Sequence, residues 1–242
     1  MSTLRNRPYA VLDIDGTLIR WQLYHAMADA LVKRSLLNSD QFQTIKQNRL
    51  EWKKRRHANA FTDYETSLIK WVDERIAGLQ QQQLIEVCQD VIDEYIEQTY
   101  TFTLNLIYDL QRAGYLLFAL SGSPNVLVQS VARYYHFDAA QGSDYDLKDG
   151  RLTGTKQLMY GTTKANYLKQ LIRQYHATQN GSVGVGDTIG DTPMLTMTER
   201  PIAFNPSREL FDHAKTAGWE MVVERKNVIY QLQAQDGRYI LA

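Results

Sequence analysis

The sequence predicts an α/β fold: a doubly wound parallel sheet interrupted near its start by an inserted all-helical domain. Three observations carry this expectation. Short apolar runs without helical period, Tyr9 to Asp13, Tyr115 to Leu120 and Ser182 to Gly186, read as buried strands of a parallel sheet. Helical stretches separate the later runs, the alternation that builds such a sheet. Between the first two runs, from Trp21 to Gln98, there is no Pro and only one Gly, Gly78, while apolar residues recur at three and four spacings, as at Leu68, Trp71, Val72 and Ile76. The expected division is an α/β core of residues 1–19 and 100–242 around a helical insert of residues 20–99.

The elements follow in order. After the strand at Tyr9 comes the helical insert, in which Cys88 of QLIEVCQDVI reads as a small core residue on an amphipathic helix; as the only cysteine it can form no internal disulfide. Gly114 precedes the second strand. Asn125 to His136 reads as a helix, Phe137 to Ala140 as a short strand, and Asp149-Gly150 as a hairpin turn between DLK and RLTG. Thr163 to His176 reads as a helix with Thr162 or Thr163 as its cap. The Ser182 strand is followed by a short helix at Asp191 to Met197, a strand at Pro201 to Phe204, a helix after Pro206 and a last strand around Trp219 to Val223.

Composition removes several function classes. Lys plus Arg and Asp plus Glu both total 27, so the formal charge is zero and the basic footprint of a nucleic-acid or anionic-membrane binder is missing. Apolar runs such as Tyr115 to Leu120 fall far short of the roughly 20 residues that span a bilayer. Met1 to Pro8 holds no apolar stretch resembling a leader, so a cytoplasmic location is expected. A zinc centre is disfavoured because His25, His57, His136, His176 and His213 show no ligand spacing.

The ends of the predicted strands carry the chemistry, and strand ends are where doubly wound sheets bind ligands. The first strand ends in Asp13-Ile-Asp15-Gly16-Thr17, the second in Ser121-Gly122-Ser123, and the Ser182 strand in Gly186-Asp187, with Asp191 four residues on. A spacing of two at a strand end puts Asp13 and Asp15 on one side, and Gly16 lets the chain turn away. Carboxylates crowded at one edge repel unless a cation sits among them, and hard oxygen donors point to Mg²⁺. Ser121, the Gly122 N–H and the following helix start offer donors for phosphate oxygens. Lys164, at the start of the helix before the Ser182 strand, supplies a positive charge that would steady a nucleophilic carboxylate and a transferring phosphoryl group. Singly, each of these residues is more often a turn, a cap or a solvated charge; together and in this order they describe a phosphoryl-transfer site.

DIDGTL at Asp13 to Leu18, the SGS at Ser121, Lys164, and GDTIGD at Gly186 to Asp191 resemble the four signature motifs of the haloacid dehalogenase superfamily, and the helical insert resembles its first type of cap. The resemblance implies a Rossmann-like core and an Mg²⁺-dependent phosphatase. Asp13 would be the nucleophile that becomes an aspartyl-phosphate, Asp15 the general acid and base, and Ser121 and Lys164 the holders of the phosphoryl group. Asp187 would bind Mg²⁺ with Asp13 and the Asp15 carbonyl, supported by Asp191. Asp15 itself disfavours the dehalogenase branch. FTDYETSL at Phe61 to Leu68 and KDGRLTG resemble the phosphoserine phosphatase branch, but the positions of that branch's substrate-reading acid and carboxylate-pairing cap Arg hold Gln22 and Trp71. Without that ion pair a small zwitterion is poorly held.

The expected partner is therefore a small phosphorylated substrate, neither nucleic acid nor membrane. Phosphoserine hydrolysis proper, a phosphomutase or phosphotransferase on the same core, and a non-catalytic phospho-aspartate or ligand-binding module are the rival readings. Lys53 to Arg56 reads as a solvated helix face and Tyr24, Tyr64 and Trp71 as cap core, while Trp21, Gln22, His25 and Glu65 are the candidates to reach the leaving group.

Overall fold

The computed structural model describes residues 6–40, 42–57, 60–226, 228–235 and 238–241; of the stretch read for a leader, residues 1–5 lie outside the described residues. The chain divides into two compact units, one of residues 1–22, 95–143 and 158–242, the other of residues 23–94 and 144–157.

The first unit is built on a sheet in the order β3-β2-β1-β5-β6-β7-β8-β9. Strands β1 (Pro8–Leu12), β2 (Leu116–Pro124), the first half of β3 (Ala139–Lys148), β5 (Thr178–Gly186), β6 (Arg200–Phe204) and β7 (Glu220–Arg225) run parallel. Strand β1 is central, with Val11 opposite Phe118 of β2 on one side and Gly184 of β5 on the other. From β1 the order steps outward through β2 and β3, and from β5 outward through β6 and β7. The direction of winding thus reverses between β1 and β5, and an open α/β sheet binds ligands at such a switch point, beyond the carboxyl ends of its strands.

The apolar runs became parallel strands because both of their faces are covered: Tyr9, Val11, Phe118 and Leu120 pack with Leu168, Met194, Leu195 and Met221 in one core, and Ala10, Leu12, Leu117 and Ala119 are fully buried on the other face. Helices α5 (Thr101–Arg112), α6 (Asn125–Tyr134), α7 (Thr162–Gln174), α8 (Thr192–Leu195) and α9 (Arg208–Ala217) supply that cover. No side chain of Tyr100 caps α5. Its first N–H groups go instead to the buried Glu224 carboxylate of β7, from Thr101 at 3.0 Å and Phe102 at 2.8 Å. Helix α9 follows the usual signals, with the Ser207 hydroxyl accepting from the Leu210 N–H and Gly218 closing it in the left-handed region.

Two antiparallel strands, β8 (Val228–Gln235) and β9 (Arg238–Leu241), extend the sheet beyond β7. The expected last strand was the one at Trp219 to Val223. In β8 Tyr230, Leu232 and Ala234 alternate with Gln, so the strand lacks the continuous apolar run of one buried on both faces, and of these three only Leu232 is half-buried.

The second unit holds α1 (Leu23–Lys33), α2 (Phe42–Lys53), α3 (Ala60–Asp73) and α4 (Gln81–Tyr95), together with β4 (Arg151–Gln157) and the end of β3 that pairs with it. Residues 144–157, expected with the core, group here because the hairpin bonds to the α3–α4 connection: Gly78 N–H to Leu152 O, Leu152 N–H to Leu79 O and Gln81 N–H to Gly150 O. Its two-residue turn is Asp149-Gly150, both at positive φ, as the right-handed twist of a tight hairpin requires. Lys156 of β4 reaches Asp73 of α3 at 2.8 Å. Cys88 is buried on α4, and burial pushes its thiol up to about 12, which leaves it an inert core residue.

The helical unit has its own polar and aromatic centre. Arg49 forks onto Asp29 at 2.7 and 2.8 Å and donates through Nε to the Tyr64 hydroxyl at 2.7 Å. Tyr64 stacks on Trp52, and His25 sits edge-on to Tyr64 at a centroid distance of 4.9 Å with Phe61 and Trp52 close by. His25 is 2 % exposed; burial, aided by the charge of Arg49, lowers its imidazole to about 3. Above about pH 6.5 the imidazole is neutral in both states, whereas below it the unfolded chain takes up a proton that the folded one refuses. Stability is thus full above that pH and is lost as the pH falls toward 3, by about 2 kcal/mol at pH 5. In thermal unfolding at pH 7 and pH 5, His25→Phe is expected to lose that part of the acid sensitivity; an unchanged difference between the two pH values would show that the imidazole does not cause it.

Candidate active site

Strand β1 delivers Asp13 to the switch point, and the Asp13 N–H still bonds to Val185 O of β5 at 3.0 Å. The chain then turns at once, with Ile14 O accepting from the N–H groups of Thr17, Leu18 and Ile19. Gly16 makes the turn at φ +79°, and a Cβ there would collide with Asp187 Oδ2 and come within 3.1 Å of Gln22 Nε2. The half-buried Gln22 therefore lies at the edge of the carboxylate cluster.

Lys164 is the hub of the cluster. It sits in the first turn of α7 and is 3 % exposed, and its Nζ lies 2.6 Å from Asp13 Oδ1 and 2.6 Å from Asp191 Oδ1. Asp191 is held as firmly from its other side, where Oδ2 accepts from the Thr188 N–H and hydroxyl at 3.0 and 3.1 Å in a capping box. Both of its oxygens are engaged, so Asp191 orients Lys164 and closes the loop from residue 187 to 191. Gly186 makes room for this, because a Cβ there would stand 2.6 Å from that of Asp191. Thr17, fully buried, donates to Asp187 Oδ1 at 3.3 Å.

Asp15 has a different partner. Its Oδ2 accepts from the Ser121 hydroxyl at 2.7 Å, and that same hydroxyl accepts from the Ser123 N–H at 3.1 Å. The β2–β3 register breaks between Leu120 and Pro124, which takes Ser121 to Ser123 out of the regular ladder. Gly122 O accepts from the Ser143 hydroxyl at 2.7 Å, fixing the turn from behind.

The electrostatics follow from burial. Desolvation pushes the Asp13 carboxyl up to about 8; Lys164 pulls against this, while Asp191 and Asp15 add to the rise. Asp187 is raised well above the usual carboxylate range, again by burial first and then by Asp13 and Asp191. Burial opposes the charge on Lys164, but Asp13 and Asp191 outweigh it, and its pKa is raised. One cation among four carboxylates leaves the edge short of positive charge. Oxygens of Asp13, Asp187 and Asp191 lie within 4.8 Å of one another. An all-carboxylate set held this close, with two members resisting ionisation, fits a hard divalent cation.

Of the residues singled out in the sequence, Asp13, Asp15, Ser121, Lys164, Asp187 and Asp191 come together, with Gly122 and Gln22 alongside. Glu65 belongs to the helical unit, where it lies 3.9 Å from His25 Nε2. Trp71 is a core residue of the same unit, 4 % exposed, donating to Asp40 O at 3.1 Å and packed between Phe42 and Arg75. Lys53 to Arg56 are exposed as expected, but only Lys53 lies on a helix: α2 ends there, and Lys54 to Arg56 follow in the turn, with Arg55 at positive φ. Thr17 and Thr188 were missed as supports, although both stand inside the motifs.

A doubly wound sheet with paired aspartates at its central strand end, a serine turn, a buried lysine and a second aspartate loop defines one class of protein, the haloacid dehalogenase-like hydrolases. The chain belongs to that family, whose profile matches residues 10–196. It is 26 % identical over 222 residues to a histidinol-phosphatase of Neisseria meningitidis, covering 88 % of this chain and 97 % of that one. It is also 26 % identical over 149 residues to the phosphoserine phosphatase SerB1 of Mycobacterium tuberculosis, a match to 60 % of this chain and 48 % of that longer protein. In fold it is similar to a Bordetella pertussis protein of unknown function, with a TM-score of 0.68, 18 % identity and coverage of 89 and 98 %. A phosphoserine phosphatase solved as a phospho-aspartyl intermediate analogue gives 0.65, 20 % identity and coverage of 92 and 96 %.

Proposed function

We propose that this chain is an Mg²⁺-dependent phosphomonoesterase of a small phosphorylated metabolite, working through an aspartyl-phosphate on Asp13. The observation that carries the reading is the division of labour between two carboxylates two residues apart: Asp13 is bound to the buried Lys164, Asp15 to the Ser121 hydroxyl. Asp13 Oδ attacks phosphorus in line, and Lys164 and Ser121 hold the equatorial oxygens as charge spreads over them. The P–O bond to the leaving group breaks as Asp15 gives that oxygen a proton. Asp15, now a carboxylate, then takes a proton from the water that attacks the aspartyl-phosphate, which releases phosphate, frees the Asp13 carboxylate and returns Asp15 to its protonated form. Asp13 and Asp187 would hold Mg²⁺ with the Asp15 carbonyl, and the bound ion would supply positive charge that keeps Asp13 ionised and offsets the negative charge of the phosphate.

For the leaving group, Trp71 and Gln22 favour a substrate with no amino-acid carboxylate to pair. Trp71 is committed to packing, and the guanidinium stacked on it, Arg75, is paired with Glu74 at 3.2 Å. An amino-alcohol phosphate of the kind named by the Neisseria relative is therefore preferred to phosphoserine, with Gln22 as its candidate polar contact. The purified protein is expected to release phosphate from a panel of phosphorylated metabolites only with Mg²⁺, and to lose this with EDTA. Histidinol phosphate should be turned over with a higher kcat/KM than phosphoserine; the opposite order would overturn the argument from Trp71 and Gln22, and release of phosphate undiminished by EDTA would overturn the metal.

A further inference from the structure

The segment between β4 and α7 places an aromatic ring at the catalytic edge that the reaction itself does not use. Tyr160 lies four residues before Lys164, and its ring packs against Gly190 of the loop from 187 to 191: a Cβ on Gly190 would collide with ring atoms Cε2 and Cζ and stand 2.9 Å from Cδ2. The backbone on either side is fixed by the site. The Met159 N–H donates at 3.1 Å to the Ser143 hydroxyl, the same hydroxyl that holds Gly122 O. Tyr160 O accepts from the Thr163 N–H at 3.1 Å, which starts the helix carrying Lys164. Gly161 between them adopts φ +57°, ψ −125°, a conformation open to glycine. Fixed in this way, Tyr160 is still 49 % exposed, and Ile189, which precedes Gly190 in the loop, is 40 % exposed. An aromatic ring held against a glycine and left half uncovered beside a reactive centre is suited to stacking on a planar group.

We propose that Tyr160, with Ile189 beside it, is the platform on which the leaving group of the phosphomonoester lies, and that it selects leaving groups with a planar or apolar face next to the ester oxygen. The inference rests on the phosphatase reading and names the substrate class of that same site. A stacked ring is worth about a 2- to 10-fold preference. Benzyl phosphate and methyl phosphate test it, because both release an alcohol and differ in the ring. Tyr160→Leu is expected to lower kcat/KM for benzyl phosphate by about 2- to 10-fold more than for methyl phosphate, through KM, while Tyr160→Phe keeps the wild-type preference. Binding of benzylphosphonate and methylphosphonate, which have no scissile ester, reads the platform without turnover. Wild type that binds benzylphosphonate more tightly, with that preference lost in Tyr160→Leu, upholds the platform even if neither ester is hydrolysed, in which case the phosphatase reading falls alone. Equal losses on both compounds in Tyr160→Leu would reduce the ring to a support for the loop, and no change on either would remove its role altogether.

Discussion

Asp13→Asn is expected to abolish phosphate release, by a factor on the order of 10⁴ or more, while leaving the fold intact. The amide keeps the shape of the carboxylate and can still accept from Lys164, whose second partner Asp191 stays in place at 2.6 Å. What it lacks is the oxygen that would bond to phosphorus. The stability consequence has the opposite sign. A carboxyl raised to about 8 retains, between about pH 4 and pH 8, a proton that the unfolded chain has released, so it makes the metal-free protein less stable as the pH rises through that window. Asn escapes this cost, and the variant in EDTA is expected to unfold at pH 7 at or above the wild-type temperature. Acid-quenched wild type incubated with labelled substrate should carry phosphate on Asp13. Undiminished turnover by the Asn variant, or label on another residue, would sink the nucleophile assignment.

How much of this was legible in the sequence depended on whether a feature is carried by pattern or by side-chain geometry. Tyr9 to Leu12 and Val183 to Val185 are buried on both faces, so each reads as a continuous apolar run, and the polar residues that follow mark the ends of β1 and β5. The site's membership followed from there, since Asp13, Asp15, Ser121, Lys164 and Asp187 all stand at the ends of elements that the sheet brings to one edge. Roles were less readable than membership. Asp191 counts as one more carboxylate in the sequence, but in the structure its two oxygens are divided between Lys164 and Thr188, which makes it an orienting group. Strand β8 escaped because its residues alternate with Gln in place of an apolar run, and the four-residue β9, Arg238–Leu241, is too short to carry a period. The capping of α5 by Glu224 spans more than 120 residues and has no local sign. Nor has the seat of Tyr160, because a tyrosine before Gly-Thr-Thr-Lys is unremarkable until Gly190 is found beneath its ring.

Lys164→Ala should damage catalysis and folding together, and the two losses have separate causes. For catalysis, the variant loses the cation bound to Asp13 and proposed to hold a phosphoryl oxygen, a donor whose removal from a preorganised site costs about 10²- to 10³-fold in kcat. For folding, it leaves Asp13 and Asp191 buried with 7 and 1 % of their side chains exposed and their shared counter-charge gone. Removing one partner of a buried ionic cluster costs about 3 kcal/mol, which for a chain of this size is roughly 6–12 °C in melting temperature. The pH dependence identifies the cause. Lys164 is what pulls the Asp13 carboxyl down, so without it that group rises beyond about 8, and the window in which stability falls with increasing pH widens on its alkaline side. Melting in EDTA should therefore show a deficit relative to wild type that grows from pH 5 to pH 9. Lys164→Met separates charge from packing, because it restores most of the buried stem but none of the charge: it should recover part of the stability at pH 5 and none of the activity. A deficit independent of pH in both variants would mean that Lys164 stabilises the core by its volume, and that the ion cluster at the switch point is not what holds the loop from 187 to 191 in place.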